Sequence, residues 1–243
     1  MYKFKQIKAK YSFFSEVIKP SGERSVFSKI EMVDVLPNRG ECLNFILKGS
    51  ADVFVDGHEP EDFDLIMYRL GQSLYPIELD VLKTGKIKQV KNFAEIQNRW
   101  SKECKSILAT HKNAYWVVRY INMTSKNICS EVSFLEILGQ NNFIQLFLME
   151  QGKIKQHIEL SAFPFANSHI SVEFNLTSSN ETGYQYKSKI GKIDEKICSG
   201  YGELDIIYTE KGQPEYVRFL YRVEVHGEGF YHKKININLI TNK

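Results

Sequence analysis

The chain has 243 residues, 43% hydrophobic and 13% aromatic, with 32 basic against 29 acidic side chains and a formal net charge of +3. That apolar content is enough for a packed core and excludes a globally disordered chain. The interspersed, nearly balanced charges exclude the concentrated basic face of a nucleic-acid binder.

Residues 1–10 carry charge without an apolar stretch, so they do not read as a secretory signal. No window of about 18 apolar residues occurs, and no membrane span is expected. Cys42, Cys104, Cys129 and Cys198 are far apart and form no C-x-x-C pair. The expected setting is a cytoplasm with free thiols.

The chain begins with an alternating segment that slips phase once. Tyr2 and Phe4 share a face, then Ile7, Ala9, Tyr11 and Phe13 share one. A β-bulge would absorb such a slip. Lys3, Lys5, Lys8 and Lys10 on the other side suit an exposed sheet edge. Pro20-Ser21-Gly22 is a turn, Val26 to Leu36 a strand, and Pro37-Asn38-Arg39-Gly40 a second turn. Leu43 to Val55 alternates for thirteen residues, which predicts a long half-buried strand bent at Gly49. After the turn at Asp56-Gly57, Phe63–Leu70 and Leu74–Val81 read as strands. Lys86–Lys91 is a short strand leading to the helical middle.

That middle, from Asn92 to about Met149, is the stretch around which the chain is organised. Phe93, Ile96, Trp100, Cys104, Ile107 and Leu108 recur at helical spacing, with Asn92 and Glu95 placed to cap the start. The helix runs to about Thr110, with Trp100 as a core anchor. A second helix is expected over Ala114–Met123. A third starts near Ser130, with Val132, Leu135 and Leu138 on one face, and breaks at Gly139 to Asn142. Phe143–Met149 fits either a helix or a buried strand.

Period two then returns. Ile154, Ile158 and Leu160 share a face, as do Ile170, Val172, Phe174 and Leu176. Tyr184, Tyr186 and Ile190 follow, then Leu204–Tyr208, the face Val217 to Val225, and Tyr231 to Leu239. Cys198-Ser199-Gly200-Tyr201-Gly202 reads as a turn. The pentapeptide Gly-Lys-Ile-Lys-Gln opens a strand twice, at Gly85 and at Gly152. It fits either a duplicated β-unit or convergent turn chemistry.

The expected fold is α+β. Long antiparallel β-meanders (1–91 and 151–243) flank a helical middle (92–150) in one domain, as a sheet or half-barrel packed on helices. Both meanders are expected to pack on the Phe93–Thr110 helix. The absence of a βαβ rhythm excludes a parallel nucleotide-binding sheet.

Two weak constellations stand out. Asp56, His58, Glu59, Glu61, Asp62 and Asp64 make the one local charge cluster, a candidate contact for a basic protein partner. Its spacing does not match a calcium loop. Glu224, His226 and His232 flank a Gly-Glu-Gly turn and could approach one another as metal ligands. No H-E-x-x-H, G-x-S-x-G or glycine-rich phosphate loop occurs, and no cofactor is indicated. The leading reading is a non-catalytic component acting through its surface on a protein partner or a second copy. The alternative is a carrier of a small apolar ligand between sheet and helices. An enzyme with a dispersed site ranks third.

Overall fold

The computed structural model describes residues 6–37, 42–165, 167–190 and 196–240. The strands are β1 (Ile7–Ile18), β2 (Arg24–Pro37), β3 (Cys42–Val55), β4 (Ile77–Leu82) and β5 (Ile87–Val90), followed by β6 (Lys155–Ser161), β7 (His169–Ser179), β8 (Gly183–Ile190), β9 (Ile197–Tyr208), β10 (Pro214–Val225) and β11 (Gly229–Ile240). Helix α1 (Asp62–Ser73) lies between β3 and β4. Helices α2 (Phe93–His111), α3 (Tyr115–Ser125), α4 (Glu131–Gln140) and α5 (Asn142–Phe147) lie between β5 and β6. The architecture is thus mixed α+β, with antiparallel sheet predominating.

All eleven strands form one sheet in the order β5-β4-β3-β2-β1-β11-β10-β9-β8-β7-β6. Each meander pairs with its own neighbours, and the first and last strands pair with each other, Lys10 opposite Ile240 and Ile18 opposite His232. Eleven strands laid flat would put the two edges ~48 Å apart. Yet one short stretch of helix reaches both. On α4, the Glu131 carboxylate accepts the Val90 N–H of β5. On α5, the Gln145 amide accepts the N–H of Glu159 in β6 and donates to the Glu159 carbonyl. Those two residues are ~21 Å apart along a helical path. The sheet must therefore curl, and both edges converge on α4 and α5.

The core fills the inside of the curl. Phe143 and Phe147 of α5 meet Tyr11 of β1 edge-on at 6.1 and 5.2 Å, and Phe147 lies 5.2 Å from Phe45 of β3. The Tyr208 hydroxyl of β9 donates to the Met149 carbonyl just beyond α5. The six-residue α5 is thus the plug, which settles Phe143–Met149 as helical up to Phe147. Asn141 caps it by accepting the Ile144 N–H.

Helix α2 has the bounds and buried face that its sequence predicts, Ile96, Trp100, Cys104 and Ile107. It packs on α1 and α3, however, while α4 and α5 meet the sheet edges. The Trp100 indole donates to the Ser125 hydroxyl at the end of α3. Asn92 does not cap α2. Its amide donates to the Pro76 carbonyl and accepts the Glu78 N–H, tying the helix start to β4.

Other expectations need correction. Phe63–Leu70 is helix α1. Its Phe63, Ile66, Met67 and Leu70 fall at 0, 3, 4 and 7, so helical spacing accounts for the apolar run. The strand expected at Leu74–Val81 is β4, which starts at Ile77. Helix α4 buries Phe134 and Leu138 and leaves Val132 68% exposed. Strand β1 is central rather than an edge, so Lys8 and Lys10 mark its solvent face. The slip at Tyr2 and Phe4 and the turn at Asn38-Arg39-Gly40 lie outside the described residues.

Gly200 and Gly202 are not turn residues but interior positions of β9. A Cβ on Gly200 would sit 2.4 Å from the Tyr221 hydroxyl, and one on Gly202 2.7 Å from Phe174 and Ser188. These glycines make room for aromatic rings. None of the four cysteines is bonded to another.

Candidate functional site

The acidic stretch after β3 is the start of a cavity wall. Asp56 turns at φ 50°, and its carboxylate accepts the Val26 N–H at 2.6 Å, which pins the loop to the β1–β2 hairpin end. Val55 and His58 exchange two backbone hydrogen bonds. Glu59 and Glu61 are exposed, and Asp62 and Asp64 occupy the first turn of α1, where the helix dipole favours acids. The six predicted contact residues are therefore split between a tight turn and a helix start. Of them, Asp64 faces the cavity beneath α1.

That cavity has a volume of about 450 Å³ and lies between the inner face of the sheet and helices α1 and α4. Phe27, Leu47, Val53 and Val55 form the sheet side. Met67, Tyr68 and Gly71 of α1 form one helical wall, and Phe134, Ile137 and Leu138 of α4 the other. Helix α1 is held over the cavity by α2 at two points. Arg69 bonds Glu103 of α2, and Arg99 of α2 donates to the carbonyls of Ser73, Leu74 and Pro76 at the α1 C-terminus. Gly71 turns no Cβ into the space, and one added there would have no neighbour within 4 Å.

One end of the cavity is polar. Lys29, Ser50 and Tyr75 line it. Lys29 forms an ion pair with Glu31, which is 1% exposed. The Tyr75 hydroxyl donates to the same Glu31 oxygen at 3.0 Å and receives the Ser50 hydroxyl at 3.2 Å. Gln72 of α1 donates to the Ser50 carbonyl. Burial alone would lower the Lys29 ammonium, but the Tyr75 and Glu31 oxygens outweigh it and hold it above its usual range. Burial, opposed in part by Lys29, pushes the Tyr75 phenol up. Both shifts favour the protonated forms, so Lys29 is held as an ammonium and Tyr75 as a neutral phenol. The Lys29 charge also lies 5.7 and 5.9 Å from the Phe13 and Phe27 rings. Sequence reasoning missed this cluster, although Lys29 and Glu31 are charged at the same phase as Phe27, Val33 and Val35.

The proposed metal ligands are arranged differently. Glu224 stands opposite Phe230 and accepts the Ser199 hydroxyl, His232 stands opposite Arg222, and His226 is exposed in the turn beyond β10. The Arg222 guanidinium stacks on Phe230 at 3.4 Å. Burial and Arg222 lower the His232 imidazole. Among the described residues no group of three His, Cys, Asp or Glu side chains is gathered to hold a metal.

Two further features border the cavity. Between the sheet edges lies a second hollow of about 690 Å³, lined by Lys86 and Ile87 of the β5 side and by Lys153, Gln156 and His157 of the β6 side. Outside, α1 and α3 share an aromatic patch. Phe63 lies 5.0 Å from Trp116 and 5.3 Å from Tyr120, and Phe63, Met67, Trp116 and Met123 are 39–58% exposed.

No helix among the described residues is long and apolar enough to cross a membrane. No protein-family model matches the chain, and no curated protein matches it. Among solved structures the chain is similar to the crystal structure of Rv2717c from M. tuberculosis. The match covers 96% of this chain and 92% of that one, with 6% identity and a TM-score of 0.31, too distant a likeness to bear on function.

Proposed function

We propose that this protein is a non-catalytic carrier that holds a small, largely apolar ligand between its curled sheet and helices α1 and α4. The observation that carries the reading is the cavity of about 450 Å³ with aliphatic and aromatic walls and hydrogen-bonding groups gathered at one end. That volume falls in the range of small-molecule sites, about 300–1,000 Å³, and the wall composition is what such sites use.

The test is a titration with N-phenyl-1-naphthylamine, an uncharged fluorophore that brightens in apolar surroundings, alongside native mass spectrometry of the purified protein. The cavity predicts saturable one-to-one binding. Gly71→Leu fills the space from the helix and should abolish it. The same change removes a helical glycine, worth up to about 1 kcal/mol, so the variant should melt no lower than the parent. Unchanged binding in a folded Gly71→Leu protein would rule the cavity out as the site.

A second reading is favoured by the aromatic patch on α1 and α3. An exposed apolar group of this kind, beside the acidic Glu59, Glu61 and Asp62, suits a protein partner with a basic and apolar face. Replacing those three acids by Ser should weaken capture of such a partner and flatten its salt dependence.

A further inference from the structure

We propose that the cavity selects an uncharged amphiphile, with a hydroxyl or carbonyl head seated against Lys29, Ser50 and Tyr75, over a charged one of the same length. This rests on the cavity being the ligand site.

The first observation is the charge balance at the polar end. Lys29 presents an ammonium to the cavity, but its counter-ion Glu31 is already in place behind it. A bound carboxylate would gain from Lys29 and lose to Glu31. A bound ammonium would meet Lys29 directly. Either ion would shed its water in an apolar space without an unmatched partner of opposite sign, which is the costly case.

The second observation is the set of hydrogen-bonding positions that remain. An ammonium has three donors; the ion pair to Glu31 occupies one and the Tyr75 hydroxyl draws a second, which leaves one for a ligand. The Tyr75 oxygen takes one hydrogen bond from Ser50, and the Ser50 oxygen keeps its acceptor sites. A hydroxyl can use both kinds of position and a carbonyl can use the donor. Neither disturbs the order Ser50 to Tyr75 to Glu31.

The third observation is at the other end. Asp64 lines the cavity, with Asp62 and Glu61 beside it at the start of α1. A negative rim lowers the local concentration of anions and so works against fatty-acid-like ligands before they reach Lys29. The remaining rival is a cationic amphiphile that keeps its head at Asp64, and the test includes it.

Decanol, methyl decanoate, decanoate and decylamine are titrated against bound N-phenyl-1-naphthylamine at pH 7.5 and moderate salt. The two neutral probes should bind at least tenfold more tightly than either ion. Lys29→Met leaves Glu31 without its counter-ion and should move the preference toward decylamine. Should that variant fail to fold, Glu31→Gln keeps the lysine and should move the preference toward decanoate. Decanoate or decylamine equalling decanol on the parent protein overturns the head-group inference while leaving the cavity a ligand site. If neither the fluorophore nor any of the four binds the folded protein, the carrier reading falls and this inference with it.

Discussion

Lys233 shows what a single misplaced charge does to this core. It is 7% exposed on β11, opposite Tyr221 of β10 and Val17 of β1, and over the Phe163 ring. Burial pulls its ammonium down to about 8. An unfolded lysine keeps its proton to about 10.5, so between 8 and 10.5 the unfolded chain binds more protons and stability rises with pH. Below 8 both states are charged and the whole penalty stands. Burial raises Tyr11, Tyr208 and Tyr221, which gives the opposite slope: their contribution is present below about 10 and lost as pH climbs past it. Urea unfolding should therefore show greatest stability between pH 8 and 10. Lys233→Met should gain ~1–3 kcal/mol at pH 7 and flatten the rise. An unchanged pH profile in that variant would place the titration elsewhere. Lys29 and Lys233 were both legible as charges at the inward phase of their strands. Which of them would find a carboxylate was not, because Glu31 is two residues from Lys29 while Lys233 depends on what distant strands bring.

Among the elements, those with long periodic patterns were legible. Strand β3 and helix α2 match their predicted spans closely because thirteen to nineteen residues of consistent period leave little room for error. Short elements were misread. In α1 the helical spacing of Phe63, Ile66, Met67 and Leu70 spans only two turns, with Leu65 apolar between them, and reads as a strand; Ile66 and Leu70 face the core together. The Gly200 and Gly202 turn failed for another reason: a glycine needed for space looks the same in sequence as one needed for a turn. Least visible were the edge contacts. Nothing in the sequence marks Gln145 as the partner of the Glu159 backbone, since that pairing exists only once the sheet has curled. Removing it by Gln145→Ala leaves an N–H and a carbonyl of β6 without their partner and should cost ~1–3 kcal/mol. Hydrogen exchange would show it first at the Glu159 amide. Protection there equal to that in the parent would mean the helix does not hold that edge.

At the scale of the molecule, the two meanders meet at β1 and β11, and the helices close the remaining gap without completing the sheet. The centre of the sheet should then be the last part to open. Amides of β1 and β11 are expected to exchange at the rate of global unfolding, and those of β5 and β6 much earlier. Equal protection across the sheet would argue against the helices being the weaker closure. The same topology answers the question of the repeated pentapeptide. A tandem duplication of the meander would superpose β5 on β11 in the order of the sheet, whereas the two copies lead into β5 and β6. Similar turn chemistry at two facing edges accounts for them without a duplication.

The pairing of the first strand with the last has a consequence for synthesis. In a chain made from its N-terminus β1 is complete long before β11, and closing that pair spans roughly 200 intervening residues. Few contacts in the fold have a higher order than these, and their closure entropy makes the joining of the two meanders a slow step relative to the hairpins. Throughout that interval β1 has β2 on one side and nothing on the other. It is then an edge strand, exposed to pairing with a neighbouring nascent chain. Lys8 and Lys10 are spaced along it as the charges that guard permanent edges are. In the finished molecule they lie on the solvent face of a central strand, but during translation they have an edge to protect.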